Sequence, residues 1–374
     1  MDMDRAMATP KLGFGLMRLP KGAQDGYDLR QCEEMTDRFL AAGMTYFDTA
    51  YVYDEGRSEL LAGKALVSRH PRESFTLATK LNVRVAKDAG DAKRQFAVSL
   101  ERTGAGYFDY YLLHAIQANR IGTYDGYGLW DFVRQQKEKG LVKHWGFSFH
   151  DSPQVLDRLL SEHPDVDFVQ LQINYADWES PTVASRANYE VARKHGKPVV
   201  IMEPVKGGAL AVPPKPVQQV FDAVGTDASY ASWAVRFAAS LEGVLTVLSG
   251  MSTLEQMEDN LSYMKDFQPL SPAEREVIVR AQSALRSVPS IPCTGCEYCV
   301  AGCPQSIPIP RIFSARNRQL IWGQTEQGKN AYREAVQGKG RASACISCGQ
   351  CEAACPQMLP IIDHLKDCAK ALEE

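Results

Sequence analysis

Nine of the ten cysteines lie after residue 290, eight of them in two runs of four: Cys293, Cys296, Cys299 and Cys303, then Cys345, Cys348, Cys351 and Cys355. Each run has the spacing C-x2-C-x2-C-x3-C and is followed at once by a proline, Pro304 or Pro356. Three thiolates at successive x2 spacing come from one tight loop and can hold three corners of a 4Fe-4S cubane, while the fourth, turned away by its proline, reaches a second cluster. The expected ligand sets are therefore crossed: Cys293, Cys296, Cys299 and Cys355 on one cluster, Cys345, Cys348, Cys351 and Cys303 on the other. Structural zinc more usually takes two separated cysteine pairs, which makes it the weaker reading. Cys32 and Cys368 stand apart from both runs and are expected to be ordinary buried thiols.

A second set of residues could move protons. Asp48, Tyr53, Lys80 and His114 fall at or just after the ends of short apolar runs. A tyrosine is a weak acid, with a reference pKa of about 10, but a neighbouring ammonium favours its phenolate and a carboxylate can hold that ammonium in place. Tyr53 with Lys80 and Asp48 meets that need. His114 could donate a hydrogen bond to a substrate carbonyl oxygen and so stabilise the charge that develops during hydride attack, while Tyr53 delivers the proton. Together the four describe reduction of a carbonyl; singly each has a plainer role, as a loop cap, a half-buried ring, a surface cation or a core imidazole.

The elements that must position them follow from periodicity. Between residues 11 and 265, eight short apolar runs alternate with amphipathic stretches: 12–17, 45–49, 75–80, 108–114, 142–148, 168–172, 199–203 and 244–249. Eight strand-plus-helix units, each returning through a right-handed crossover, close a parallel barrel whose chemistry gathers at the C-terminal strand ends. Helices are predicted at 29–42 and at 152–161, where Pro153 takes the first helical position behind a serine cap. The alternation stops near 268–272, a helix covers 272–287, and the sequence VPSIP leads into the cysteines. The expected domains are 8–270, an α/β (β/α)8 TIM barrel, and 280–374, a mainly helical domain. The stretch between the two cysteine runs reads as helix interrupted by Gly323 and Gly328.

The segments TYFDTAYVYDEG, LATK and DYYLLH closely resemble three signatures of the aldo-keto reductase family, and the resemblance extends over residues 11–265. It implies that Asp48, Tyr53, Lys80 and His114 are the family's catalytic tetrad, and that a nicotinamide dinucleotide, NAD(P)(H), binds beside them. Ser148 in WGFS and Gln170 in FVQLQ match positions that hold the carboxamide. Gly15, with Gly13, matches the first strand, Asp259 and Asn260 match adenine-side positions, and Lys206 beside two glycines is a candidate phosphate contact. Asn174, at the end of the sixth run, is expected to be structural. Three departures stand out. Glu203 takes the place of an aromatic residue that stacks on the nicotinamide, Phe149 replaces a carboxamide-holding asparagine, and Gly250 and Gln256 fall where basic residues would grip a 2′-phosphate. The segment 285–370 is similar to the helical two-cluster ferredoxin modules of anaerobic oxidoreductases, in which a long helical insert separates two cysteine runs.

Composition bounds the partners. The chain carries 42 basic and 45 acidic residues with no long block of either sign, which excludes an electrostatic footprint for nucleic acid. The apolar stretch 230–250 is broken by Arg236 and Glu242, and the opening MDMDRAMATPK lacks the pattern of a secretory signal, so a cytoplasmic enzyme without membrane contact is expected. The expectation is an iron–sulfur oxidoreductase acting on a small-molecule carbonyl, with a ferredoxin or flavoprotein as its candidate electron partner. The alternative is a flavin- or ferredoxin-linked reductase with a non-carbonyl substrate at the same mouth.

Overall fold

The computed structural model describes residues 9–22, 26–181, 183–291, 293, 298–355 and 359–373; Cys296 and Pro356 lie outside them. Eight strands are present: β1 Leu12–Gly15, β2 Tyr46–Asp48, β3 Thr76–Leu81, β4 Phe108–Ile116, β5 Val142–Phe149, β6 Phe168–Gln172, β7 Val199–Met202 and β8 Val244–Ser249. All neighbours are parallel and the sheet closes in sequence order, with Leu12 of β1 opposite Val247 of β8. The (β/α)8 barrel read from the sequence is the fold. β1 ends two residues before the apolar run does, and β4 continues past His114 through an irregularity between Leu113 and Ile116.

At least one helix follows each strand: α1 Leu29–Ala41, α2 Arg57–Ala62, α3 Ala89–Thr103, α4 Leu129–Glu138, α5 Pro153–Glu162, α6 Ser185–Lys194, α7 Tyr230–Ala239 and α8 Leu254–Met264. α1 shows why: the Asp28 carboxylate accepts from the Gln31 N–H at 2.9 Å, and Cys32, Met35 and Phe39 at helical spacing are buried against the sheet. α5 starts on Pro153 as predicted, but the Ser152 side chain makes no capping bond. The Ser152 N–H is held instead by the Asp151 carboxylate at 2.7 Å.

Residues two apart on a strand share a face. The inward face of the barrel therefore reads Tyr46 then Asp48 on β2, Ala78 then Lys80 on β3, Leu112 then His114 on β4, Gly146 then Ser148 on β5, and Phe168 then Gln170 on β6. The first member of each pair fills the barrel, and the second brings a polar group to the C-terminal end. Tyr110 packs against both Tyr46 and Phe168 at ring-centroid distances of 5.1 Å, and each such ring contributes roughly 2–3 kcal/mol through burial. Gly146 makes this layer possible, because a Cβ there would lie 2.3 Å from the Phe168 carbonyl oxygen.

The chain divides into two compact units. One runs to Ala211 and resumes over Ala228–Arg275; the other comprises Val212–Asp227 and Glu276–Glu374. The excursion Val212–Asp227, with its helix Lys215–Asp222, leaves the barrel between β7 and β8 and belongs with the C-terminal unit. In that unit helices Ile309–Trp322, Thr325–Ala335 and Ile361–Leu372 enclose a core of Ile307, Ile312, Phe313, Tyr332 and Leu365. Only one of the two glycines expected to interrupt the insert does so. Gly323 is the left-handed C-cap of the first helix, whereas Gly328 lies within the second and lets the two approach: a Cβ there would meet the Ala315 carbonyl at 2.9 Å. No helix among the described residues is long and apolar enough to cross a membrane.

Candidate active site

β2 delivers Asp48 and β3 delivers Lys80 to the same end of the barrel. The Lys80 ammonium donates to Asp48 at 2.5 Å and to the Thr49 carbonyl at 2.7 Å, and both side chains are almost wholly buried. The loop after β2 keeps pairing with β3, through Thr49 N–H to the Ala78 carbonyl and Tyr51 N–H to the Lys80 carbonyl, which carries Tyr53 over the lysine. The Lys80 nitrogen sits 4.8 Å from the Tyr53 ring centroid. Burial would lower the lysine pKa, but the Asp48 carboxylate and the hydrogen bonds outweigh it and hold Lys80 above its usual value, a firm cation. Burial raises the Tyr53 pKa, opposed by Lys80 and assisted by Asp48 and Glu203, so the phenol keeps its proton at neutral pH.

His114 completes the group, its ring 5.7 Å from that of Tyr53 in an edge-on arrangement. Burial first, then the positive charges of Lys80, His150, Arg84 and Arg120, press its pKa well below the ordinary histidine value, and the imidazole is neutral. Its tautomer is legible from Asn82. The Asn82 Oδ1 accepts from the Arg84 N–H at 2.9 Å, so its Nδ2–H faces His114 Nδ1 at 3.2 Å and donates to it. The remaining proton is on Nε2. Gln95 fixes Asn82 in turn, accepting from its N–H at 2.8 Å and donating to its carbonyl at 2.9 Å.

Asp48 and Tyr53 line a cavity of about 490 Å³ that extends from the barrel mouth along the β7 and β8 loops. Of the residues matched to the cofactor, Gly15, Gln170, Glu203, Gly250, Gln256, Asp259 and Asn260 line this same cavity. Gln170 Oε1 and Asn260 Oδ1 are buried acceptors without a donor among the described residues, and Asn260 Nδ2 donates to the Gln256 carbonyl at 2.8 Å. Two matched residues are engaged elsewhere. Ser148 Oγ accepts from the N–H of Ala115, which has a left-handed φ of 55° in the β4 irregularity. The Lys206 ammonium rests on Asp177 at 2.5 Å, within a buried set in which Asn174 donates to Asp177 at 2.9 Å and to the Glu203 carbonyl at 3.1 Å. Asn174 thus ties the ends of β6 and β7 together, while Phe149 is core.

Two residues at this site escaped the sequence reading. Asn82 lies two positions after Lys80, so strand periodicity alone could have pointed to it. Arg18 carries no local signal; its guanidinium donates to the Gly207 carbonyl at 3.0 Å and lies 3.5 Å from the Glu203 carboxylate.

In the C-terminal unit Cys303, the fourth cysteine of the first run, lines one small cavity with Cys345, Cys348 and Cys351 of the second. The Ile307 N–H points at the Cys303 sulfur at 3.5 Å, a contact of the kind that tunes a cluster's potential. Cys299 and Cys351 are buried, Cys293 and Cys355 partly so, and Asn317 pins the segment entering the first run through both the N–H and the carbonyl of Ile291, each at 2.8 Å. Cys32 and Cys368 are buried among apolar neighbours, which pushes both thiols up to about 12 and leaves them inert.

Residues 11–281 match the aldo/keto reductase family. The chain belongs to the aldo/keto reductase family. This aldo/keto reductase also matches a 4Fe-4S dicluster domain over residues 292–359, which makes it an iron–sulfur oxidoreductase. The probable aldo-keto reductase 1 of Glycine max is 29% identical over 177 residues, 45% of this chain, and the match spans about half, 48%, of that relative. The oxidoreductase YqkF of Bacillus subtilis is 24% identical over 285 residues, 67% of this chain and 86% of its own. An aldo/keto reductase from Klebsiella pneumoniae, solved in complex with NADP and acetate, superimposes with a TM-score of 0.57 at 22% identity, over 73% of this chain and 91% of its own. That likeness is one of fold.

Proposed function

We propose that this chain reduces a small-molecule carbonyl with a nicotinamide dinucleotide, Tyr53 acting as general acid, and exchanges electrons through two 4Fe-4S clusters. The observation that carries the reading is the convergence of a protonated Tyr53, a cationic Lys80 held by Asp48, and a neutral His114, with Asp48 and Tyr53 lining a cavity of about 490 Å³. The buried, donorless Gln170 Oε1 in the cavity wall suits a carboxamide N–H, and the NADP in the Klebsiella relative's structure is in keeping with it.

A bound nicotinamide would supply the hydride, and the clusters would exchange single electrons with a ferredoxin or flavoprotein partner outside that two-electron step. The Tyr53 phenol donates its proton to the carbonyl oxygen, and Lys80 stabilises the phenolate left behind. Asp48 holds Lys80 in place without sharing the proton. His114, through Nε2–H, binds the same oxygen and stabilises the charge that develops on it. The buried polar face of Gln170 fixes the ring that faces the substrate.

Cys303, Cys345, Cys348 and Cys351 are the ligands of one cluster, supported by their common cavity. Cys293, Cys296, Cys299 and Cys355 remain for the other, as the spacing requires, with Cys296 beyond the described residues. The flavin alternative has no observation of its own behind it. Tyr53→Phe tests the acid role: reduction of an aldehyde or quinone that the wild type turns over should fall by roughly 10²–10⁴-fold, with iron and sulfide content unchanged. Undiminished turnover with every carbonyl substrate would remove Tyr53 from the mechanism.

A further inference from the structure

We infer that the groove selects a dinucleotide lacking a 2′-phosphate, NAD(H) over NADP(H), because its far end offers acceptors and carboxylates and, among the described residues, no cation. The inference rests on the nicotinamide reading above. With the reacting ring beside Tyr53 and Gln170, the opposite end of the cavity is the loop after β8 and the first turns of α8: Ser252, Glu255, Gln256, Asp259 and Asn260.

Among the described residues lining the cavity, Arg18 is the one lysine or arginine. Its backbone lies beside Ser252, but its guanidinium is turned to the loop after β7. Its backbone carbonyl accepts from Ser252 Oγ at 2.6 Å, its guanidinium donates to the Gly207 carbonyl, and a Cβ at Gly250 would lie 3.6 Å from its Cδ. That is where a pyrophosphate must cross between the two ends, and its charge can take the guanidinium from the half-exposed Glu203. Arg18 therefore answers a charge that both dinucleotides carry.

The far end answers hydroxyls and amines. Asp259 accepts from Ser229 Oγ at 2.9 Å through one carboxylate oxygen. Asn260 is 5% exposed, and because its Nδ2 is committed to the Gln256 carbonyl, its Oδ1 must be the acceptor that lacks a donor. A ribose 2′-hydroxyl or an adenine amine supplies such donors. A 2′-phosphate supplies only acceptors, and its near-double negative charge would sit beside Glu255 and Asp259. The N-terminus of α8 could otherwise draw a phosphate, but its first turn is already complemented. Thr253 Oγ1 accepts from the Gln256 N–H at 3.3 Å, the Gln256 side chain accepts from the Ser252 N–H at 2.7 Å, and the Glu255 carboxylate is held low by its own N–H and by Thr253.

The test is equilibrium titration of the anaerobically purified holoprotein with NADH and with NADPH, followed by nucleotide fluorescence. NADH should bind at least about tenfold more tightly. Glu255→Lys should shift the ratio of NADPH to NADH affinity towards NADPH by about tenfold, and Arg18→Ala should weaken both by the same factor. Equal or tighter NADPH binding by the wild type overturns the inference, as does a loss confined to NADPH in Arg18→Ala, which would put the 2′-phosphate on Arg18. Both results leave the nicotinamide reading standing. Binding of neither nucleotide overturns that reading, and the inference falls with it.

Discussion

Replacing Asn82 by aspartate reverses one hydrogen bond at almost constant shape. In the wild type Asn82 Nδ2–H donates to His114 Nδ1 at 3.2 Å, leaving the proton on Nε2 where it can reach a substrate oxygen. An aspartate there has no N–H to give, and its carboxylate accepts from Nδ1–H instead. The ring must then move its single proton to Nδ1, which silences Nε2 as a donor, or take a second proton. A hydrogen bond to a charged group is worth about 1.5–3 kcal/mol, which raises the histidine pKa by roughly one to two units from its depressed position. Burial and the cations Lys80, His150, Arg84 and Arg120 oppose a larger rise. Above the new pKa the variant lacks its donor, and kcat/KM should fall by about 10–100-fold. As pH drops through that pKa the Nε2–H returns and activity should partly recover, an acid-side rise that the wild type lacks. Titration of 13C-labelled histidine should place the His114 pKa higher in the variant, independently of turnover. A variant with wild-type kcat/KM and an unshifted His114 would refute the tautomer argument.

The cluster assignment and the packing make further predictions. Cys303→Ser should abolish the cluster built mainly by the second cysteine run, halving iron and sulfide; EPR showing loss of the first-run cluster alone would refute crossed ligation. Gly146→Ala would drive a Cβ to 2.3 Å from the Phe168 carbonyl, and should destabilise the barrel by about 1–3 kcal/mol or more in denaturant titration; an unchanged midpoint would mean that β5 and β6 separate freely. His114 titrates well below its unfolded value of about 6.5, so its contribution to stability is full above that pH and is lost as pH falls towards the folded pKa. The melting temperature should therefore drop below pH 6.5, and His114→Gln should flatten that slope.

What could be read from the sequence divides along a physical line. Strand positions, and the inward residues at their ends, were legible because a parallel barrel imposes a period of two on buried runs: β6 Phe168–Gln172 and β8 Val244–Ser249 fall where the apolar runs do, and Asp48, Lys80 and His114 are the polar members of inward pairs. Asn82 obeys the same period, yet an asparagine after a strand reads as a turn residue until the Arg84 N–H and the imidazole are seen on either side of it. The glycine-rich loop after β7 shows a partner that its sequence does not announce. A lysine beside two glycines suggests a phosphate grip, but Lys206 takes a left-handed φ of 49° that returns its side chain to Asp177, a partner 29 residues away. Arg18 supplies a cation to the cavity from the loop after β1, through a carbonyl 189 residues distant, and no local pattern encodes that closure. The excursion Val212–Asp227 is the same case at larger scale: it lies between β7 and β8 in the sequence, yet it groups with the C-terminal unit. Chemistry carried by strand ends can thus be read directly from spacing, whereas charge placed by loops becomes visible only once the barrel has closed and brought β1 beside β8.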